Sequence, residues 1–171
     1  MKASRKEFTL ENHKLTDKVR DPLQAVNSMK SGLYKTEKIQ DIIQTEVIRA
    51  PIVDVFRAMT VARTVDEWGG GPARIQLRVD GKFSLWDGDM YGIIKEYDFP
   101  NRLVFTWREE KWEESIPDSI VRWDLEEVSR GTRLHLQHSG LSSRRIREIH
   151  NDGWGEYFLG PLKAYLELKK K

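Results

Sequence analysis

The chain has 171 residues, 39% of them hydrophobic and 33% charged, which allows one domain with a sizeable core beneath a densely charged surface. It contains no cysteine, and this excludes disulfides, thiol catalysis and cysteine-ligated metals. The net charge of +2 is uneven: residues 1–38 carry nine Lys/Arg against five Asp/Glu, and no basic stripe runs through the rest, so nucleic acid is not an expected partner.

Residues 1–38 are polar, with apolar side chains scattered among charges. They read as an N-terminal extension, flexible or docked on the domain or on a second subunit, with a weak amphipathic helix over about 22–31. The sequence MKASRKEFTLENHK lacks the apolar centre of a secretory signal. No apolar run approaches the ~20 residues that span a bilayer. The expected compartment is the cytoplasm, with no membrane partner.

Residues 39–171 read as one domain. Ile39, Ile42, Ile43, Val47 and Ile48 predict a first strand ending at Arg49. Ala50-Pro51 then turns the chain into a helix, because proline is favoured at the first helical position. Ile52, Val55, Phe56 and Met59 follow at helical spacing. A second short helix is capped by Thr60 or by Thr64, the latter forming a capping box with Glu67, and it ends at Trp68 before Gly69-Gly70-Gly71-Pro72.

A strand meander follows. Arg74–Val79 alternates, and Asp80-Gly81 predicts a two-residue hairpin with positive φ at both positions. Lys82–Trp86 returns through Phe83 and Leu85, and Asp87-Gly88-Asp89 makes the next turn. Tyr91–Phe99 is a strand without clean alternation, so its faces stay unassigned. Beyond Pro100-Asn101, Arg102–Arg108 alternates through Leu103, Phe105 and Trp107. An acidic loop, Glu109–Asp118, leads to Ser119–Glu127 with Val121, Trp123 and Leu125 on one face. After a turn with Gly131 free for positive φ, Thr132–His138 puts Leu134, Leu136 and His138 together.

From Ser143 to Leu168 the period becomes helical, and Ile146, Ile149, Trp154, Tyr157, Phe158, Leu162, Tyr165, Leu166 and Leu168 form a broad apolar stripe. Pro161 removes the bond to the carbonyl of Tyr157, so a bend is expected there. A sheet with one apolar face needs a cover, and this helix is the only element large enough. The expected class is α+β: a helix-grip fold, with a curved antiparallel sheet of about six or seven strands wrapped around the long C-terminal helix and two short helices after the first strand.

Motifs in this order are similar to those of a known family. They are Ala50-Pro51 with Val55-Phe56; Trp68-Gly69; Asp80-Gly81-Lys82-Phe83; Pro100-Asn101-Arg102-Leu103 leading to Thr106-Trp107; Gly131-Thr132-Arg133-Leu134 leading to His138-Ser139-Gly140-Leu141; and Gly153-Trp154 leading to Leu162-Lys163-Ala164-Tyr165-Leu166. From about Ile39 to Leu168 the chain resembles the START-like superfamily, also called birch-pollen-allergen-like or SRPBCC. Within it, the chain resembles homologues of the activator of the heat-shock-protein-90 ATPase. The resemblance implies the helix-grip fold, and it implies binding of an apolar molecule, contact with a chaperone in a stress response, or aromatase/cyclase-like catalysis. Residues 1–38 and the Gly160-Pro161 pair depart from the family pattern.

Residue chemistry favours binding over catalysis. Trp107, Trp123, Trp154, Tyr157 and Phe158 either fill the core or wall a cavity between sheet and helix. His138, facing inward with Leu134 and Leu136, is either a satisfied core histidine or the polar contact of a ligand. These six residues are the candidate ligand-binding set. Ser139 points to the opposite face, and no acid completes a triad, so no catalytic residue is assigned. His13, His135, His138 and His150 lack metal-ligand spacing, with His135 turned to solvent; no metal or cofactor is expected. Gly69–Gly71 lacks the Lys-Ser/Thr of a phosphate loop. The Trp112 loop reads as a solvated hairpin tip, or as an interface if Trp112 is exposed. The leading expectation is a non-catalytic binding protein for an apolar or aromatic small molecule, as monomer or homodimer. A chaperone-related interaction module and an aromatase/cyclase-like enzyme are the alternatives.

Overall fold

A computed structural model of the protein describes residues 38–168. The expected extension and its helix over 22–31 lie outside the described residues, apart from Lys38. Strand β1 (Ile42–Ile48) buries Ile42 and Ile48 at its two ends. Pro51, with φ fixed at −59°, then opens helix α1 (Ile52–Thr60), which buries Val55, Phe56 and Met59. Helix α2 (Ala62–Trp68) ends at Gly69, whose φ of 108° is the left-handed stop that glycine allows.

The expected capping box does not form. Val61 caps α2 without a side-chain bond, its carbonyl accepting from Thr64 and Val65 N–H at 2.8 and 3.0 Å. Thr64 lies inside the helix, and the Thr60 hydroxyl donates to the Phe56 carbonyl at 2.7 Å. A threonine can bond back to the carbonyl four residues earlier as readily as it caps.

Seven antiparallel strands pair in the order β1-β7-β6-β5-β4-β3-β2. After β1 they are β2 (Arg74–Ile75), β3 (Lys82–Leu85), β4 (Met90–Asp98), β5 (Arg102–Glu109), β6 (Ser119–Val128) and β7 (Gly131–Ser139). Strand β2 is far shorter than the alternation of Arg74–Val79 predicts. Residues 76–81 fold back on themselves instead, with Arg78 N–H donating to the Gln76 carbonyl and Gly81 N–H to that of Arg78. Asp80 has φ 58°, but Gly81 is not in the left-handed region. Glycine is required at 81 by proximity: a Cβ there would lie 1.9 Å from the Gln76 carbonyl oxygen.

The missing alternation of β4 has a cause. Its register with β5 shifts between Ile94 and Glu96, a bulge that reverses which side chains face inward. Near Gly92 the two strands approach so closely that a Cβ would stand 1.9 Å from the Thr106 carbonyl oxygen. There the Thr106 hydroxyl accepts the Ile93 N–H at 2.9 Å. The remaining strands alternate as their sequences predict, turning Leu103, Phe105 and Trp107, then Val121, Trp123 and Leu125, then Leu134, Leu136 and His138 into the core.

The sheet's inner face is covered by one long terminal helix in three parts. Helix α3 (Arg144–Gly153) is capped by Ser143, whose hydroxyl accepts the Ile146 N–H. A π-helical segment, Trp154–Leu159, follows, and helix α4 (Gly160–Leu168) completes it. The disturbance expected at Pro161 takes the form of this wide turn. Gly160 N–H reaches back five residues to the Gly155 carbonyl, and Pro161 then resumes the helix with no N–H to place. Lys163–Glu46 and Arg49–Glu167 ion pairs fasten α4 to the end of β1.

Two glycine substitutions should therefore have opposite effects. Gly92→Ala forces β4 away from β5 and should destabilise by about 3 kcal/mol. At Gly155 an added Cβ meets nothing within 4 Å, so Gly155→Ala should stabilise by about 0.5–1 kcal/mol through the unfolded chain's lost freedom. Urea denaturation of the two variants checks both signs.

Candidate functional site

Three indoles and two histidines meet where the terminal helix crosses β5–β7. Alternation brings Trp107 inward from β5, Ser119 from β6 and His138 from β7. Helical spacing of four brings Ile146, His150, Trp154 and Phe158 onto one row. The Trp107 and Trp154 rings lie 4.8 Å apart, and Trp123 and Phe158 4.9 Å apart.

Their polar atoms form an ordered chain. Trp154 Nε1–H donates to His138 Nδ1 at 3.1 Å, so that nitrogen carries no proton. The proton therefore sits on Nε2, which donates to Ser119 Oγ at 2.7 Å. The Ser119 hydroxyl donates onward to the Trp107 carbonyl at 3.1 Å. His138 and Ser119 are fully buried. Burial first, and His150 second, push the His138 imidazole down from 6.5 to about 3, because a charged ring would have no water and would face another imidazole.

His150 is wired differently. Its Nδ1 lies 2.9 Å from the Ile146 carbonyl, which can only accept, so Nδ1 holds the proton. Its Nε2 is approached at 3.1 Å by two groups, the Trp107 Nε1–H and the Glu109 carboxylate. The lone pair of Nε2 takes the indole proton, which leaves the carboxylate oxygen beside it without a hydrogen from this ring.

Beside this cluster is an open hollow of about 310 Å3. Trp107, Trp154, Tyr157 and Phe158 form its helix and sheet walls, and Trp86 and Met90 form the wall beyond. Glu109, His150 and Asp89 supply its polar groups. Trp86 is held there by an unusual turn. Trp86 and Asp87 have φ of 48° and 57°, uncommon for residues with a Cβ. Main-chain bonds from Trp86 to the Gly70 carbonyl and from Asp87 to that of Pro72 hold the turn, and the Trp86 indole donates to the Gly69 carbonyl at 2.9 Å. The glycine run, which is no phosphate loop, serves as the mount for this wall.

The acidic loop is anchored rather than merely solvated. Arg108 donates to the Ile116 and Glu113 carbonyls at 2.6 and 2.8 Å and pairs with Asp118 at 3.2 Å. Trp112 is half-buried, with its ring 5.8 Å from that of His150. A second hollow of about 300 Å3 lies between this loop and α3, with Glu109, Ile149 and His150 common to both.

Of the six residues singled out from sequence, Trp107, Trp154, Tyr157 and Phe158 line the hollow between sheet and terminal helix. Tyr157 is 58% exposed and so stands at the mouth. His138 lies behind the wall with both nitrogens occupied by Trp154 and Ser119, and it does not line the hollow. Trp123 is core, and its buried Nε1 has no partner among the described residues. Sequence reading passed over Ser119, Glu109 and His150. Signals for all three exist: Ser119 is in phase with Val121, Glu109 with Trp107, and His150 lies four residues from both Ile146 and Trp154. His135 faces outward, its Nδ1 3.0 Å from the Thr45 hydroxyl.

This arrangement has relatives. An HSP90 activator from Plasmodium falciparum superposes with a TM-score of 0.68 at 28% identity, over 75% of this chain and 97% of that one. CalU16 from Micromonospora echinospora gives a TM-score of 0.63 at 30% identity over 73% of each chain. An uncharacterised Schizosaccharomyces pombe protein is 22% identical over 124 residues, which make up 72% of this chain but 36% of that protein. The chain thus spans about a third of the length of that curated relative. The family model described as Activator of Hsp90 ATPase homolog 1-like protein matches residues 49–167. With the seven-stranded sheet closed on its terminal helix, the chain belongs to that family and has its START-like, SRPBCC fold.

Proposed function

We propose that this protein is a non-catalytic binding protein for an aromatic or largely apolar small molecule, held in the hollow between the sheet and the terminal helix. The observation that carries this reading is the hollow itself. About 310 Å3 of space bounded by Trp86, Trp107, Trp154, Tyr157 and Phe158 is of the size and chemistry of small-molecule sites. Trp86 is kept there in a left-handed conformation, and strained backbone of this kind gathers at binding sites.

The wiring of His138 supports binding over catalysis. A serine 2.7 Å from a histidine resembles a nucleophile and its base. Here, however, the histidine donates its proton to the serine, the serine donates to a carbonyl, and neither reaches solvent. The pair joins β6, β7 and the terminal helix.

A second reading, an interaction module acting on a chaperone ATPase, is favoured by the family and by the Plasmodium falciparum HSP90 activator. Adding the protein to an HSP90 ATPase assay separates the two: the binding reading expects no stimulation.

Native mass spectrometry of freshly purified protein should reveal a co-purified small molecule. Titration with the neutral dye N-phenyl-naphthylamine should give saturable binding. Gly153 lines the hollow, and a Cβ there would meet nothing nearer than Tyr157 Cδ2 at 3.8 Å. Gly153→Leu should therefore fill the space and weaken dye binding at least tenfold without lowering the melting temperature. Undiminished binding in a folded variant would move the site elsewhere.

The buried imidazole predicts an acid-sensitive fold. His138 takes up its proton near pH 3 when folded but near 6.5 when unfolded. Between those values the unfolded chain binds more protons, so stability falls as pH drops below about 6.5. By pH 5 the loss from this residue is about 2 kcal/mol. Urea denaturation at pH 7 and pH 5 should show that loss, and His138→Gln, which keeps a donor and an acceptor but cannot titrate, should reduce it.

A further inference from the structure

The charge around the hollow is one-sided. Among the described residues its lining includes two carboxylates, Glu109 and Asp89, and no lysine or arginine. The carboxylates come from adjoining positions, since Met90, next to Asp89, is the Cα partner of Glu109 in the β4–β5 ladder. The Glu110 N–H donates to the Asp89 carbonyl at 2.9 Å and holds the strand ends together. The Asp89 side chain makes no ion pair among the described residues.

Glu109 is the more telling of the two. Its side chain is 24% exposed, so it is partly withdrawn from water. Among the described residues its ion-pair partner is His150 Nε2, already occupied as the acceptor of the Trp107 indole N–H. If the ring instead gave a proton to Glu109 from Nε2, the Trp107 Nε1–H would lose its acceptor, at the cost of an unsatisfied buried donor. With Nε2 kept as the acceptor of the Trp107 N–H, Glu109 is left one donor short. A donor entering with a ligand resolves the shortage without disturbing either histidine. Aromatic faces beside the carboxylates add a second attraction for a cation, since the ring quadrupole presents negative charge to it.

We propose that the hollow selects an aromatic ligand bearing a cationic amine, with the ammonium paired to Glu109, Asp89 adding to the field at the mouth, and the ring system lying among the tryptophans. This inference rests on the reading of the hollow as the ligand site. The test uses the full chain at pH 7 and three probes with one ring system: naphthylethylamine, naphthylethanol and naphthylacetate. Affinities come from quenching of the protein's indole fluorescence, checked by calorimetry. The amine should bind at least tenfold more tightly than the alcohol, and the carboxylate should bind weakest. In Glu109→Gln the advantage of amine over alcohol should fall below threefold.

An alcohol that binds within threefold of the amine in the wild-type protein, or a carboxylate that binds best, overturns the charge selection and leaves the apolar site standing. Retention of the full amine advantage in a folded Glu109→Gln variant overturns the role of Glu109. Failure of all three probes to bind sinks the small-molecule reading together with this inference. The ranking in the wild-type protein is decisive even if the variant does not fold.

Discussion

The hydrogen-bond chain from Trp154 through His138 and Ser119 to the Trp107 carbonyl is the constraint on which the rest of the structure depends. A helix lying on a sheet is held mainly by apolar contact, which has little directional preference. Polar atoms inside that contact impose direction, because a misaligned helix would leave an indole N–H and an imidazole nitrogen buried without partners. One rotation of the helix, and one position along its axis, satisfies all four groups. The hollow lies beside that fixed placement.

The same constraint accounts for the π segment. Trp154 must meet His138, while further along the helix Lys163 and Glu167 must meet Glu46 on β1 and Arg49 just beyond it. Between these anchor points the helix accommodates Pro161, which cannot donate. Widening one turn absorbs the missing donor without shifting either anchor. Gly153, Gly155 and Gly160 fit here as small residues beside a broadened turn, and Gly160 has a specific reason: a Cβ would sit 2.8 Å from the Gly155 carbonyl oxygen that its own N–H bonds.

Much of this architecture was legible in the chain because period and burial agree. Strands β5, β6 and β7 alternate cleanly, so the inward positions of Trp107, Trp123 and His138 followed from counting. Where local chemistry competes with period, reading failed. Thr60 prefers the Phe56 carbonyl to a cap, residues 76–81 bond among themselves instead of extending β2, and the bulge after Ile94 breaks the count in β4. The candidate site was half legible. Aromatic residues advertise themselves, but their meeting with Glu109 and with Trp86 depends on a strand end and a left-handed turn, which no periodicity announces. Ser119 was hidden for another reason. Its hydroxyl meets the His138 side chain from the neighbouring strand, although the ladder partner of His138 is Val121, and a sequence displays neighbours along a strand more readily than neighbours across one.

The sheet order also has a kinetic consequence. Among the described residues strand β1 stands at one edge and pairs with β7 alone, so Thr45 finds His135 ninety residues further along the chain. Strands β2 to β7 form by successive neighbour-to-neighbour hairpins, which close quickly. On a ribosome β1 therefore emerges early and waits, unpaired, until the last strand of the meander has been made. During that interval its Ile42, Ile43, Val47 and Ile48 are available to any strand edge nearby, which makes this segment the part of the domain most exposed to mispairing during synthesis.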